Sequence, residues 1–206
     1  MTVFIPYITF MKHAKKVTKS RAAKTRPVLS AVIHRGDYVA VTDSHRLYKA
    51  TGLHEGEEKQ IDPNTGVEVD HGNYPEIDRL ISDTGDAKST YAIDVTKAYE
   101  AIRAIEIAGR VNKATDLMEI KTGDDHLEFK TEDRAAFDVS YKANTSASIS
   151  DLETTTVNIK YMKEALHVLK DAKVEKATFA FFGNMRPIQI IAGNFTALIS
   201  PVRTNI

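Results

Sequence analysis

Between residues 8 and 51 the hydrophobic period of the chain changes from helical to alternating. In "ITFMKHAKKVTKSRA", Phe10, Met11, Ala14 and Val17 fall on one side at helical spacing. Lys12, Lys15, Lys16 and Lys19 follow i, i+3, i+4, i+7 spacing on the other, so an amphipathic helix with a cationic stripe is expected. Three strand-like runs follow, "VLSAVIH", "YVAVT" and "RLYKAT", with a turn at Gly36-Asp37 between the first two. Residues 52–73 are polar and rich in turn formers, which reads as a loop or a short hairpin around Pro63 to Gly66.

The same pattern then restarts twice. "STYAID" is a strand whose Asp94 is placed to cap the helix "VTKAYEAIRAIEIAG", with Gly109 at its end. The strands "DLMEIKT", "HLEFKT" and "AAFDVSYKA" come next. "TTVNI" leads at Asn158 into the helix "KYMKEALHVLKDA", followed by "ATFAFFG", "RPIQIIA" and "FTALISPV". Helix-then-three-strands therefore occurs three times without obvious sequence identity. One such unit leaves a helix face and a sheet face unburied, so the units are expected to pack side by side.

Net charge is zero over 206 residues, yet residues 1–50 hold ten Lys or Arg against two Asp or Glu. A basic end of this kind suits a polyanion, nucleic acid being the usual one, although a solvated basic helix has the same composition. The later helices add Lys97, Arg103 and Arg110, then Lys160, Lys163 and Lys170, interleaved with Glu. Cysteine is absent, which excludes disulfides and thiolate metal sites. No signal-peptide pattern and no run of membrane-spanning length occurs, so a cytoplasmic location without membrane contact is the expectation. No phosphate-binding glycine loop is present and no cofactor is implied.

"VTDSHRLYKA" sets Thr42, Asp43, Ser44, His45 and Arg46 side by side, the residue types of a nucleophile-and-base system. Neighbours in a strand diverge to opposite faces, whereas a turn could bring them together. The run alone leaves catalysis and binding both open. His54, Glu55, Asp70 and His71 lack tight ligand spacing and read as surface loop; no metal is expected.

Four segments in order resemble the bacterial sliding clamp family, the beta subunit of DNA polymerase III. "AVTDSHRLYKA" resembles the signature of its middle domain and "GNYPEIDRLIS" the junction to its last domain. "AYEAIRAIEIAGRVNK" is similar to the first helix of that last domain, and "RPIQIIAGNFTALISPVRTN" to its C-terminus. The resemblance implies an α+β, DNA-clamp-like fold of repeated helix-plus-antiparallel-sheet units. One reduced clamp domain is expected over residues 1–86 and one complete C-terminal domain over residues 87–206. No segment matches the family's first domain.

What the resemblance implies about function is a non-enzymatic processivity or tethering factor. It would track duplex DNA without reading sequence, through Lys12, Lys15, Lys16, Lys19, Arg103, Arg110, Lys160, Lys163 and Lys170. A polymerase or other replication or repair protein would dock by a linear motif in a hydrophobic pocket. Carried over by matching position, that pocket comprises Thr42, Ser44, His45, Arg46 and Leu47; Pro75, Arg79 and Leu80; and Leu198, Ser200, Pro201, Val202 and Arg203. Asp43 and His45 then shape a turn, and no residue is catalytic. A homo-oligomeric ring, trimer or tetramer, and a separate clamp loader complete the family picture. The alternative is a clamp mimic or adaptor that binds motif peptides without encircling DNA.

Overall fold

In this computed structural model the described residues are 3–111, 116–124, 126–131, 141–144, 148–149 and 153–203. In chain order the elements are α1 (Tyr7–Thr18), α2 (Arg21–Thr25), β1 (Val32–Arg35), β2 (Tyr38–Thr42), β3 (Arg46–Thr51), β4 (Lys59–Ile61), β5 (Glu68–Val69) and β6 (Ser89–Asp94). They continue with α3 (Val95–Val111), β7 (Leu117–Thr122), β8 (His126–Thr131), β9 (Tyr141–Asn144), β10 (Ser148–Ile149), β11 (Thr154–Asn158), α4 (Ile159–Asp171), β12 (Lys176–Phe181), β13 (Ile188–Ala192) and β14 (Phe195–Ile199). The helix-then-three-strands pattern is present three times.

Two compact units share the chain: Met1–Ser82 with Ile191–Leu198, and Asp83–Ile190 with Ile199–Ile206. The first break falls slightly before the expected boundary after residue 86. The larger difference is β14, most of which belongs to the first unit because it pairs with β3. Strand pairing joins residues far apart in sequence, which a linear division of the chain cannot express.

In the first unit the strands run β14-β3-β2-β1-β4-β5, with β3–β2, β2–β1, β1–β4 and β4–β5 antiparallel. Alternation sorts the two faces. Val39, Val41, Tyr48 and Ala50 form one register set, and Tyr38, Ala40, Leu47 and Lys49 the other. α1 packs on the sheet through Phe10, Ala14 and Val17, each at most 1% exposed. The β1–β2 hairpin turns at Gly36, whose φ of 56° suits the first position of a two-residue turn.

Two local expectations are revised. The first helix stops at Thr18 because Ser20 takes an extended backbone and caps α2, accepting the Ala23 N–H at 3.2 Å. Residues 28–30 are not strand; Pro27 opens a single 3-10 turn over Pro27–Ser30 before β1 starts. The segment 52–73 does form a short hairpin, β4–β5.

In the second unit β10-β6-β12-β13 form one run of neighbours and β11-β7-β8-β9 a separate antiparallel sheet. α3 and α4 pack against each other. Asp94 caps α3 by accepting the Lys97 N–H at 2.9 Å, and Asn158 caps α4 by accepting from Lys160 at 3.0 Å and Tyr161 at 3.4 Å. Gly109 does not end α3, which runs on to Val111; most of the run "AAFDVSYKA" lies outside the described residues. Among the described residues no helix is long and apolar enough to cross a membrane, and no three His, Asp or Glu side chains converge as for a metal ion.

Candidate peptide and nucleic-acid surfaces

The turn between β2 and β3 is built around a buried carboxylate. Asp43 is fully buried, and its Oδ1 accepts the backbone N–H groups of His45 and Arg46, each at 3.1 Å. Its Oδ2 accepts from Arg46 Nε at 3.2 Å, and Arg46 Nη2 donates on to the Lys16 carbonyl near the end of α1 at 3.3 Å. Thr42 Oγ1 donates to the Arg46 carbonyl at 2.8 Å and accepts the Ser44 N–H at 3.2 Å. Ser44, at φ 73°, is held in the left-handed region, and it stands exposed at the tip with His45. Asp43 is therefore occupied with backbone and Arg46, as a turn-shaping role requires.

Behind this turn one sheet face carries an apolar cluster. Ile33, Tyr38, Ala40, Leu47, Tyr74, Ile77 and Leu198 are buried together, with Val28 and Ile81 partly buried against them. The segment after the β4–β5 hairpin lies over the face and is fastened at several points. Tyr74 accepts the Thr42 N–H at 3.1 Å and donates to the Ala31 carbonyl at 3.3 Å. Burial pushes its phenol well above the ordinary tyrosine range, which keeps it a donor. Lys49 reaches Asp78 at 2.5 Å while lying 4.1 Å from the Tyr38 ring centroid, and Arg35 joins Glu58 and Glu76 at 2.6 and 3.3 Å.

The expected pocket residues consequently do different jobs. Leu47 and Leu198, at 2% and 4% exposure, are core, and Thr42 and Arg46 are consumed by the turn. Pro75 is half-buried, Arg79 is exposed and Leu80 is 50% exposed beside the cluster. Ser200, Pro201, Val202 and Arg203 belong to the second unit. There Pro201 bridges Val157, and Val202 donates its N–H to the Thr156 carbonyl at 2.8 Å. Tyr74 and Ile77 are the residues that sequence reasoning missed. Their signal was the apolar spacing inside "GNYPEIDRLIS", which places an aromatic beside Pro75.

The basic residues divide as well. Lys12, Lys16 and Lys19 are exposed along α1 and Lys15 is half-buried, and the helix contains no acidic residue. On α3 and α4 the cations meet carboxylates. Glu100 pairs with Lys170 at 2.5 Å and Arg103 at 3.5 Å, and Glu106 with Lys163 at 2.5 Å and Arg110 at 2.8 Å. Lysine and arginine partners hold the Glu100 carboxyl below its ordinary range. Lys160 is exposed on the first turn of α4.

Architecture and face assignment define the class: repeated helix-on-antiparallel-sheet units. No family model matches the sequence, and no curated relative matches it. Solved structures do. DNA polymerase III beta chain from Streptococcus pneumoniae superposes with a TM-score of 0.77 at 18% identity, over 96% of this chain and 63% of that one. The DNA polymerase sliding clamp of Bacillus subtilis gives 0.75 at 20% identity, over 100% and 65%. The Helicobacter pylori beta clamp bound to a DNA ligase peptide gives 0.75 at 14% identity, over 98% and 65%. The fold is that of the bacterial sliding clamps, the DNA polymerase III beta subunits. The chain spans 63–65% of the length of these clamp structures.

Proposed function

We propose that the chain is a non-enzymatic, sliding-clamp-like tethering factor. It tracks duplex DNA through phosphate contacts from α1 and docks a DNA polymerase or another DNA enzyme by a short linear motif. The docking face is the junction segment of the first unit, where Leu80 and Arg79 stand exposed beside the Leu47–Tyr74–Leu198 cluster. The observation that carries this reading is the acid-free, lysine-bearing face of α1 in a sliding-clamp fold. Phosphate contacts of flexible lysines hold DNA without selecting sequence, which permits sliding. That the Helicobacter pylori beta clamp was solved bound to a DNA ligase peptide supports a peptide-docking role here.

A homo-oligomeric ring, trimer or tetramer, goes with this reading, as do a cytoplasmic setting and a separate loader. Light scattering across a wide concentration range tests the ring, followed by retention on circular against linear DNA. A stable trimer or tetramer retained on circles alone supports encirclement. One specific observation favours the adaptor reading: the α3 and α4 cations are already paired with Glu100 and Glu106, which leaves those helices weakly cationic. A monomer at all concentrations that still binds a clamp-motif peptide supports that alternative.

A further inference from the structure

A groove of about 510 Å³ lies within the first unit between α1 and the β4–β5 hairpin. Its lining combines Tyr7, Ile8 and Met11 with Lys12, Lys15 and Lys59, and contains no acidic residue. Ile8 is 79% exposed and Tyr7 40%, an unusual apolar presentation at a helix start. Of the carboxylates nearby, Glu58 pairs with Arg35 at 2.6 Å, whereas Asp62, which accepts from the Asn64 backbone at 2.8 Å and its side-chain amide at 3.0 Å, and Glu68, opposite Ile61 in the β4–β5 register, keep their charge. Three lysines in the lining thus outnumber the two charged carboxylates at its margin, around an apolar floor.

The aromatic in this groove is held in place. The Tyr7 hydroxyl and His34 Nε2 are 2.9 Å apart, and His34 Nδ1 lies 3.3 Å from the Val32 carbonyl. With the proton on Nδ1 the imidazole donates to Val32 and accepts from Tyr7, so both bonds are made at once. The His54 ring meets His34 edge-on at 5.3 Å and fixes its far side. Tyr7 thus offers part of a ring face in a set orientation.

We infer that this groove binds single-stranded nucleic acid, a base lying against Tyr7, Ile8 and Met11 while flanking phosphates meet Lys12, Lys15 and Lys59. Stacking on a fixed ring beside flexible cations is the sequence-tolerant way to hold a single strand. An acidic peptide suits the charge but not the geometry. β4, which lines the groove, already pairs with β1 on one side and β5 on the other and has no free edge for a peptide backbone, and β5 beyond it is a strand of only two residues. The inference rests on the nucleic-acid reading above and adds Lys59 and an apolar base site to it.

The test is fluorescence anisotropy of the full chain with labelled oligothymidylate, a duplex of equal length, and oligoglutamate as competitor. Ile8→Ser and Lys59→Ser should each weaken oligothymidylate binding, Ile8→Ser by about tenfold through lost base contact, and leave duplex binding unchanged. Unaltered oligothymidylate affinity in both variants overturns the assignment, as does equally strong competition by oligoglutamate. Failure of the duplex to bind, with oligothymidylate binding still dependent on Lys59, removes the duplex reading and leaves this site standing.

Discussion

The side-chain amide of Asn194 takes the place of a neighbouring strand for Ile5. Its Oδ1 accepts the Ile5 N–H at 2.7 Å and its Nδ2 donates to the Ile5 carbonyl at 3.4 Å, across 189 positions of sequence. The same Nδ2 donates to the Thr51 carbonyl at 2.9 Å, and the Asn194 carbonyl accepts the Thr51 N–H at 2.9 Å. One turn residue thereby ties the N-terminal segment, the end of β3 and the β13–β14 hairpin. Its neighbour Gly193 has φ 57°, and a Cβ placed there would lie 1.9 Å from the Val3 carbonyl oxygen.

Asn194→Ala should therefore cost about 2 kcal/mol, two to three partly buried hydrogen bonds at roughly 1 kcal/mol each. Gly193→Ala should cost more than about 1 kcal/mol, because the left-handed backbone and the Val3 carbonyl both oppose the methyl group. Urea midpoints of the two variants check this. Wild-type stability in Gly193→Ala would mean that the Val3 segment does not pack on the turn.

Asp43→Ala removes the carboxylate that pairs with the Arg46 guanidinium, on a residue 3% exposed, along with two backbone acceptor bonds. Leaving a buried charge uncompensated costs about 3–5 kcal/mol. Thermal denaturation should show the loss, whereas His45→Ala, at the exposed tip, should melt close to wild type.

His34 supplies a pH dependence. Burial pushes its imidazole down to about 4, and His54 and Lys59 nearby add like-charge repulsion against a partly offsetting Val32 carbonyl bond. Its folded value lies below the 6.5 of a free histidine, so between those values the unfolded chain binds more protons. Stability from this group is complete above about 6.5 and falls as pH drops toward about 4, by roughly 3 kcal/mol at most. Urea melts across that window should show a shallower slope for His34→Phe. An identical slope in both proteins would assign the acid sensitivity to other groups.

Replacing Lys12, Lys15, Lys16 and Lys19 together with Ser should weaken duplex binding and flatten its salt dependence, lowering the log–log slope by about 3 to 4. Lys163→Ser and Lys170→Ser should change that slope far less, since both lysines are already matched to carboxylates. Titrations at several salt concentrations give both numbers. Equal effects from the two sets would place the DNA contact on more than α1.

Leu80→Asp should abolish binding of a clamp-motif peptide while the circular dichroism spectrum and melting temperature stay near wild type. Leu47→Asp should instead unfold the first unit, because it buries a charge inside the Tyr74–Ile77–Leu198 cluster. Calorimetric titration of the peptide against Leu80→Asp decides the docking face.

Much of the architecture was readable because alternation and helical spacing are local. "YVAVT", "RLYKAT" and "STYAID" became β2, β3 and β6 with the boundaries their patterns imply, and Asp94 and Asn158 cap the helices they precede. The turn at Asp43 was expected from the family resemblance alone, since the polar run by itself left catalysis and binding open; its Oδ1 accepts the His45 and Arg46 N–H groups. Leu47 illustrates the limit. A leucine next to Arg46 and His45 has the composition of a pocket wall, but its burial depends on Tyr74 and Ile77 arriving from another segment.

Charge shows the same divide. The lysines of α1 stand in a helix of 12 consecutive residues that contain no acid, so their spacing and the charge of that segment are read locally. The cations of α3 and α4 looked equivalent along the chain, yet Lys163 and Lys170 on α4 meet Glu106 and Glu100 on α3 only when the two helices pack. Periodicity is written in neighbours three or four residues apart. Neutralisation and the Asn194–Ile5 tie depend on contacts across 57 to 189 positions, and the burial of Leu47 on Tyr74 and Ile77 from another segment, which only the tertiary fold brings together.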